Sequence, residues 1–170
     1  MKKSTYTVIS LYKFFEIKKI FNFKNKLLKI FNNIDVKGII LIAPEGINIS
    51  ISLISGKFEY VLEELKSLFS FENSDLKKIE DKKHIFRKFK IKIKKEILTT
   101  RDPAKTNPRK LVGKYVEPKD WDALISDPNT ILVDMRNDYE VNVGTFNNAI
   151  NPKRNDFTSL LQWLEKDFFK

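Results

Sequence analysis

Over residues 5–97 the spacing of apolar side chains switches between the two-residue period of a strand and the 3.6-residue period of a helix, in an order that leaves few folds open. Residues 5–12, TYTVISLY, set Tyr6, Val8 and Ser10 against Thr7, Ile9 and Leu11, which predicts a strand. From Ile17 the period lengthens: Ile17, Ile20, Phe21, Leu27, Leu28, Phe31 and Ile34 form a helical stripe. Only Lys24 interrupts it, and its stem can lie along the apolar face. Residues 36–42, VKGIILI, read as a buried strand. Ala43-Pro44-Glu45-Gly46 supplies turn chemistry, after which Ile47, Ile49, Ile51 and Leu53 alternate with Asn48, Ser50 and Ser52 to complete a hairpin.

Ser55 is the expected N-cap of a second helix, which carries Phe58, Val61, Leu62, Leu65, Leu68 and Phe69 on one face. Residues 86–97, FRKFKIKIKKEI, close the unit as a strand. Phe89, Ile91 and Ile93 take one face and Lys88, Lys90, Lys92 and Lys94 the other. The order β-α-β-β-α-β predicts an α+β ferredoxin-like domain over residues 1–98, with two helices on one face of an antiparallel sheet.

Residues 99–111 hold two prolines and no apolar period, so they read as a linker. Beyond them a short helix primed by Pro118 carries Trp121, Leu124 and Ile125, and a turn falls at Asp127-Pro128-Asn129. Ile131-Leu132-Val133 reads as a buried strand, and residues 134–152 as a polar loop. Asp156 is placed to cap a last helix bearing Phe157, Leu160, Leu161, Leu164 and Phe168. Helix, strand, loop, helix is the opening of an α/β domain over 112–170, and one strand alone makes no sheet. This second part is therefore expected to be incomplete, less stable than the first, and a route to self-association.

The chain has no cysteine and one histidine, His84, which excludes disulfides, thiolate nucleophiles and a conventional transition-metal site. No run approaches the ~20 apolar residues of a membrane span. The first residues, MKKSTYTVIS, lack the apolar stretch of a secretory signal, so a cytoplasmic protein is expected. The net charge of +10 is unevenly placed. Residues 1–100 carry 21 Lys and Arg against 11 Asp and Glu, and residues 101–170 carry 11 of each. The first part could attract a polyanion such as nucleic acid. Lysine outnumbers arginine 27 to 5, however, and a coding bias would give the same excess as solvated surface.

The sharpest local pattern is ILVDMRNDYEVNVGTFNNAINP, residues 131–152. An apolar segment ends at Asp134, Arg136 and Glu140 follow, and Gly144 and Ala149 let the backbone return. This resembles the opening of a rhodanese domain. Gly144-Thr145-Phe146-Asn147-Asn148-Ala149 departs from the rhodanese pattern where a His would stand. GIILIAPEGIN (38–48), VGKYVEPKDWDALI (112–125) and NDYEVNVGTF (137–146) narrow the likeness to the tRNA uridine hydroxylases, rhodanese-related proteins formerly grouped as UPF0176.

That resemblance implies an acylphosphatase-like N-terminal domain and a partial rhodanese-like domain over 112–170. It implies tRNA as partner and oxygen-dependent conversion of the wobble uridine to 5-hydroxyuridine, with molecular oxygen as co-substrate; no cofactor is detectable in the chain. The family's presumed catalytic cysteine lies on a loop one strand beyond residue 170. No catalytic residue is therefore assigned, and the 170 residues are expected to be inactive as the N-terminal part of such an enzyme. A non-enzymatic RNA-binding or regulatory module is the alternative.

Three sets of residues remain candidates for contacts. Arg87, Lys88, Lys90, Lys92, Lys94 and Lys95 form a cationic row with alternate residues ~6.6 Å apart, which suits the phosphates of an RNA strand or the protection of a sheet edge. Glu45 and Asn48 belong either to a hairpin turn or to a site. Asp134 and Arg136, with Glu140, suit a structural pair or a site, since a buried charged pair must be satisfied. His84 reads as a solvated loop residue. An acylphosphatase activity is rejected: Lys13-Phe14-Phe15-Glu16, where its phosphate cradle would lie, has neither Gly nor Arg.

Overall fold

The computed structural model describes residues 5–97, 113–154 and 156–168. The chain divides into two compact units, Met1–Ile97 and Leu98–Lys170. The linker expected at 99–111 lies outside the described residues.

The first unit is built on five strands: β1 (Tyr6–Phe14), β2 (Val36–Ala43), β3 (Gly46–Ile54), β4 (Leu76–Asp81) and β5 (Phe89–Ile93). They stand in the order β4-β1-β3-β2-β5. The helices α1 (Ile20–Ile30) and α2 (Phe58–Leu68) supply the apolar cover for one face. Alternation decides that face: Ile9 and Leu11 of β1, Ile40 and Ile42 of β2, and Ile47, Ile49, Ile51 and Leu53 of β3 are all buried against Leu27, Ile30, Phe58, Val61 and Leu65. Each such side chain contributes about 1.5–3 kcal/mol on leaving water. β2 and β3 join through a two-residue turn at Pro44 and Glu45. Gly38 and Gly46 have φ of +129° and +155°, and a Cβ at either would lie 2.2 Å from a backbone carbonyl oxygen of the neighbouring strand.

Four expectations need correction. The strand that closes the β-α-β-β-α-β unit is β4, not residues 86–97: β4 pairs antiparallel with β1. Its two apolar residues, Leu76 and Ile79, are an odd number of positions apart and face opposite ways, so no two-residue period shows. Instead the edge is held by polar contacts. Thr7 and Ser55 donate to the Glu80 carboxylate at 2.9 and 2.7 Å, and the Lys78 ammonium lies 4.1 Å from the Phe58 ring centre. Second, with the β1 edge taken, the chain crosses to the other edge. There β5, shorter than expected, pairs parallel with β2, so the sheet is mixed rather than antiparallel. Third, Phe21 and Leu28 lie outside the buried stripe, 73% and 47% exposed, because each is one residue, or 100°, beyond Ile20 and Leu27. Fourth, Ser55 opens a 3₁₀ turn rather than capping α2, and its hydroxyl is spent on Glu80.

The second unit contains α3 (Pro118–Ser126), with Pro118 in its first turn, α4 (Asp138–Val141), and α5 (Phe157–Trp163) running into a π-helical turn over Leu164–Phe168. Asp156 accepts the Ser159 amide at 2.8 Å, the capping bond expected of it. The side chains of Phe157, Leu161 and Phe168 lie outside what is described. The buried strand expected at 131–133 reduces to one parallel bridge, Val133 to Ile150, and Ile131 is exposed. Among the described residues that bridge is the strand's only β-partner, so a short apolar run gains no ladder. The polar loop expected at 134–152 also contains α4.

Candidate nucleic-acid interface

On the face of the first sheet turned away from the helices, Val8 and Ser52 are buried, with His84 set against Ser52 and Tyr6, whereas Ser10 and Tyr12 are exposed and Asn48 and Ser50 half-buried; the composition of this open part follows from the register. Reading across β4, β1, β3, β2 and β5, one row is Lys77, Ser10, Ser50, Ile39 and Lys90. The next row, from β1, is Tyr12, Asn48, Leu41 and Lys92. A third sets Phe14 beside Gly46 and Ala43, with the Lys94 amide bonded to the Ile42 carbonyl at 2.8 Å. Strand positions on this face carry Lys37, Lys77, Lys90 and Lys92 against a single acid, Asp81.

Arg87, Lys88, Lys90, Lys92, Lys94 and Lys95 are all exposed, and among the described residues none is in an ion pair. Their positive field is therefore not neutralised locally. Tyr12 and Phe14 meet edge to face, ring centres 4.9 Å apart. Burial, and secondarily the charge of Glu45, push the Tyr12 phenol up to about 12, so it stays neutral. Nothing in the alternation marks Tyr12 as special, because a strand aromatic reads first as core.

Glu45 and Asn48 part company. The Glu45 carboxylate accepts the Ile97 amide at 2.6 Å, and the Glu45 and Pro44 carbonyls accept the amides of Phe15 and Ile17 at 2.9 Å each. The turn is thus a clasp for two passing segments, the β1–α1 loop and the chain at Ile97. It also uses two amides of the β1–α1 loop, where an acylphosphatase would cradle phosphate. Asn48 stands on the open face between Tyr12 and Leu41.

His84 is not solvated: its side chain is 8% exposed. Its Nε2 lies 2.9 Å from Asp35 Oδ1 and its Nδ1 2.7 Å from Ser52 Oγ. A carboxylate only accepts, so Nε2–H donates to Asp35, and in the neutral ring that tautomer leaves Nδ1 to accept the Ser52 hydroxyl. The Tyr6 ring lies 4.1 Å from the imidazole. The order Ser-His-Asp is that of a nucleophilic triad, yet Ser52 is fully buried and offers no attacking position to a substrate. The set instead pins the 82–88 crossover to the sheet.

In the second unit Arg136 grips Asp134 with two nitrogens, Nε at 2.9 Å and Nη2 at 2.6 Å. Thr145 donates to the same carboxylate at 2.7 Å, and Arg136 Nη2 donates to the Gly144 carbonyl at 2.6 Å. The Arg136 hydrogen bonds hold the Asp134 carboxyl far below the usual carboxylate range. Glu140 accepts the Asn137 amide at 3.1 Å, completing a capping box at α4. All three residues tie the 134–150 loop to itself. Asp134 and Arg136 also wall a cavity of about 500 Å³ with Trp121 and Phe146, where the Thr145 hydroxyl is spent on Asp134. Among the described residues there is no group of three His, Asp or Glu able to hold a metal, and no helix long and apolar enough to cross a membrane.

A mixed five-stranded sheet with two helices covering one face makes the first unit an α+β domain. Residues 6–97 match the UPF0176 acylphosphatase-like domain, and the chain belongs to that family. It is 41% identical over 167 residues to a tRNA uridine(34) hydroxylase of Prochlorococcus marinus (strain MIT 9215), covering 97% of this chain and 54% of that protein. Another relative of that name, from Gluconobacter oxydans, is 38% identical over 159 residues, covering 94% of this chain and 50% of its own length. The chain spans about half the length of the curated relatives it matches.

Proposed function

We propose that this chain is the N-terminal, RNA-facing part of a tRNA uridine hydroxylase, a cytoplasmic enzyme that uses molecular oxygen to form 5-hydroxyuridine at the wobble position. In this reading residues 112–170 are the opening of a rhodanese-like unit, completed elsewhere by the segment that bears the reactive thiol. The chain's own contribution is to hold tRNA. The observation that carries this is the row Arg87, Lys88, Lys90, Lys92, Lys94 and Lys95, exposed and, among the described residues, without ion pairs, in the unit that carries the family match. Asp134, Arg136 and Glu140 brace their loop, and Glu45 clasps the hairpin, so these four support the scaffold rather than contact RNA.

Changing Lys88, Lys90, Lys92 and Lys94 to Gln tests the reading. Binding to unmodified tRNA, measured across a salt series, is expected to weaken. The log–log salt slope should fall by about 0.7–0.9 for each phosphate that the variant no longer neutralises. β5 is an edge strand, so protection of that edge is the competing role. Unchanged affinity and slope, together with aggregation of the variant, would assign the lysines to it.

A further inference from the structure

Resting on the reading that this unit meets tRNA, we infer that the open sheet face is a stacking platform for single-stranded RNA, with one base against Tyr12 and Phe14 and the backbone led across the sheet to Lys90 and Lys92. The phosphate row alone would serve a duplex as well as a loop. The aromatic pair is what distinguishes the two.

Several observations converge on it. Tyr12 is 39% exposed: β1 pairs with β4 only as far as Leu11, so Tyr12 has a strand neighbour, Asn48 of β3, on one side alone, and its ring is reachable from solvent. The positions beside Phe14 are Gly46 and Ala43, which have almost no side chain and leave a shallow floor beside the two rings. Ser10, Ser50 and Asn48 surround that floor with groups that both donate and accept hydrogen bonds, as base edges require. Charge completes the match: Lys92 lies in the same row as Tyr12, three strand spacings or about 14 Å away, and Lys90 one row on. A sheet with aromatic rings and basic residues on one face binds unpaired bases by stacking and phosphates by charge. Helical RNA keeps its bases stacked inside and offers nothing to Tyr12.

The test measures anisotropy of a short fluorescein-labelled oligouridine, and of an RNA duplex of equal length, against the wild-type chain, Tyr12→Ala, Tyr12→Phe and Lys90→Gln/Lys92→Gln, each across a salt series. Tyr12→Ala is expected to weaken oligouridine binding at least about fivefold with the salt slope unchanged, because stacking releases no counterions. Tyr12→Phe keeps the ring and should stay within about twofold. It also serves as the folding control, beside far-UV circular dichroism of every variant. The lysine variant should lower the slope. If Tyr12→Ala binds oligouridine as the wild type does while the lysine variant loses affinity, the platform is wrong and a backbone-only RNA surface stands. If no variant changes binding, the RNA reading itself falls. Displacement of oligouridine by polyglutamate at equal charge concentration would assign the face to an acidic protein instead and overturn the inference.

Discussion

Replacing Gly38 by alanine puts the geometry of the sheet to a quantitative test. Gly38 sits in β2 opposite Ile51, between β3 and β5, at φ +129°. A Cβ there would stand 2.2 Å from the Ser50 carbonyl oxygen and 2.6 Å from the Ile51 Cα. Both are backbone atoms of an interior strand, so no side-chain rotation relieves the overlap. Nor can β2 slide away freely, because the Gly38 amide is bonded at 2.9 Å to the Lys88 carbonyl on its other side. Holding a non-glycine residue at such a φ costs about 1–3 kcal/mol, and the displaced pairing adds to that. A total loss of about 3 kcal/mol or more is expected, a large part of the 5–15 kcal/mol that typically holds a domain together. In urea, with a slope of about 1–3 kcal/mol per molar, the midpoint followed by far-UV circular dichroism should fall by about 1 M or more. Gly56→Ala is the control: nothing lies within 4 Å of its added Cβ, and its effect should stay within about 0.5 kcal/mol. A Gly38→Ala midpoint within experimental error of Gly56→Ala would refute the close approach of β2 and β3.

His84→Ala removes the hydrogen bonds to Ser52 and Asp35 and leaves a buried hydroxyl without its acceptor; a destabilisation of about 1–3 kcal/mol and faster amide exchange across 82–88 are expected. Wild-type exchange in that loop would return His84 to the role of a surface residue. The Asp134 carboxyl titrates lower folded than unfolded, so it contributes stability above its unfolded pKa of about 3.9 and loses it as pH falls through the folded value. Both tryptophans, Trp121 and Trp163, belong to the second unit. Their fluorescence-monitored stability should therefore decline below about pH 4 in the wild type, and much less in Asp134→Asn.

How much of this could be read from the sequence depended on where each residue's partners come from. The β2–β3 hairpin was legible because isoleucines at every second position bury one face without help from distant sequence. β4 was hidden because an edge strand needs apolar cover on few positions, and Leu76 and Ile79 fell on opposite faces. His84 became a structural pin only through Asp35 and Ser52, 49 and 32 residues away, which no local pattern can reveal. The lysine row was visible, since alternation with Phe89, Ile91 and Ile93 fixes its face. Tyr12 was not, because its exposure depends on β4, which pairs with β1 only as far as Leu11, and on Asn48 opposite, on two other strands. Asp134 and Arg136 meet Thr145 and the Gly144 carbonyl, and the pair expected to be buried leaves Arg136 exposed.

Lysine footprinting decides whether the open face of the first unit meets tRNA, as proposed. The chain is acetylated briefly, alone and with saturating unmodified tRNA, and each lysine's modification is read by mass spectrometry. Lys90 and Lys92 are expected to be protected strongly, with Lys88 and Lys94 beside them. Lys26 and Lys29, exposed on α1 on the helical side, should react as they do in the free chain. Protection of Lys26 and Lys29 with Lys90 and Lys92 still reactive would place RNA on the helical layer and overturn the proposed tRNA face.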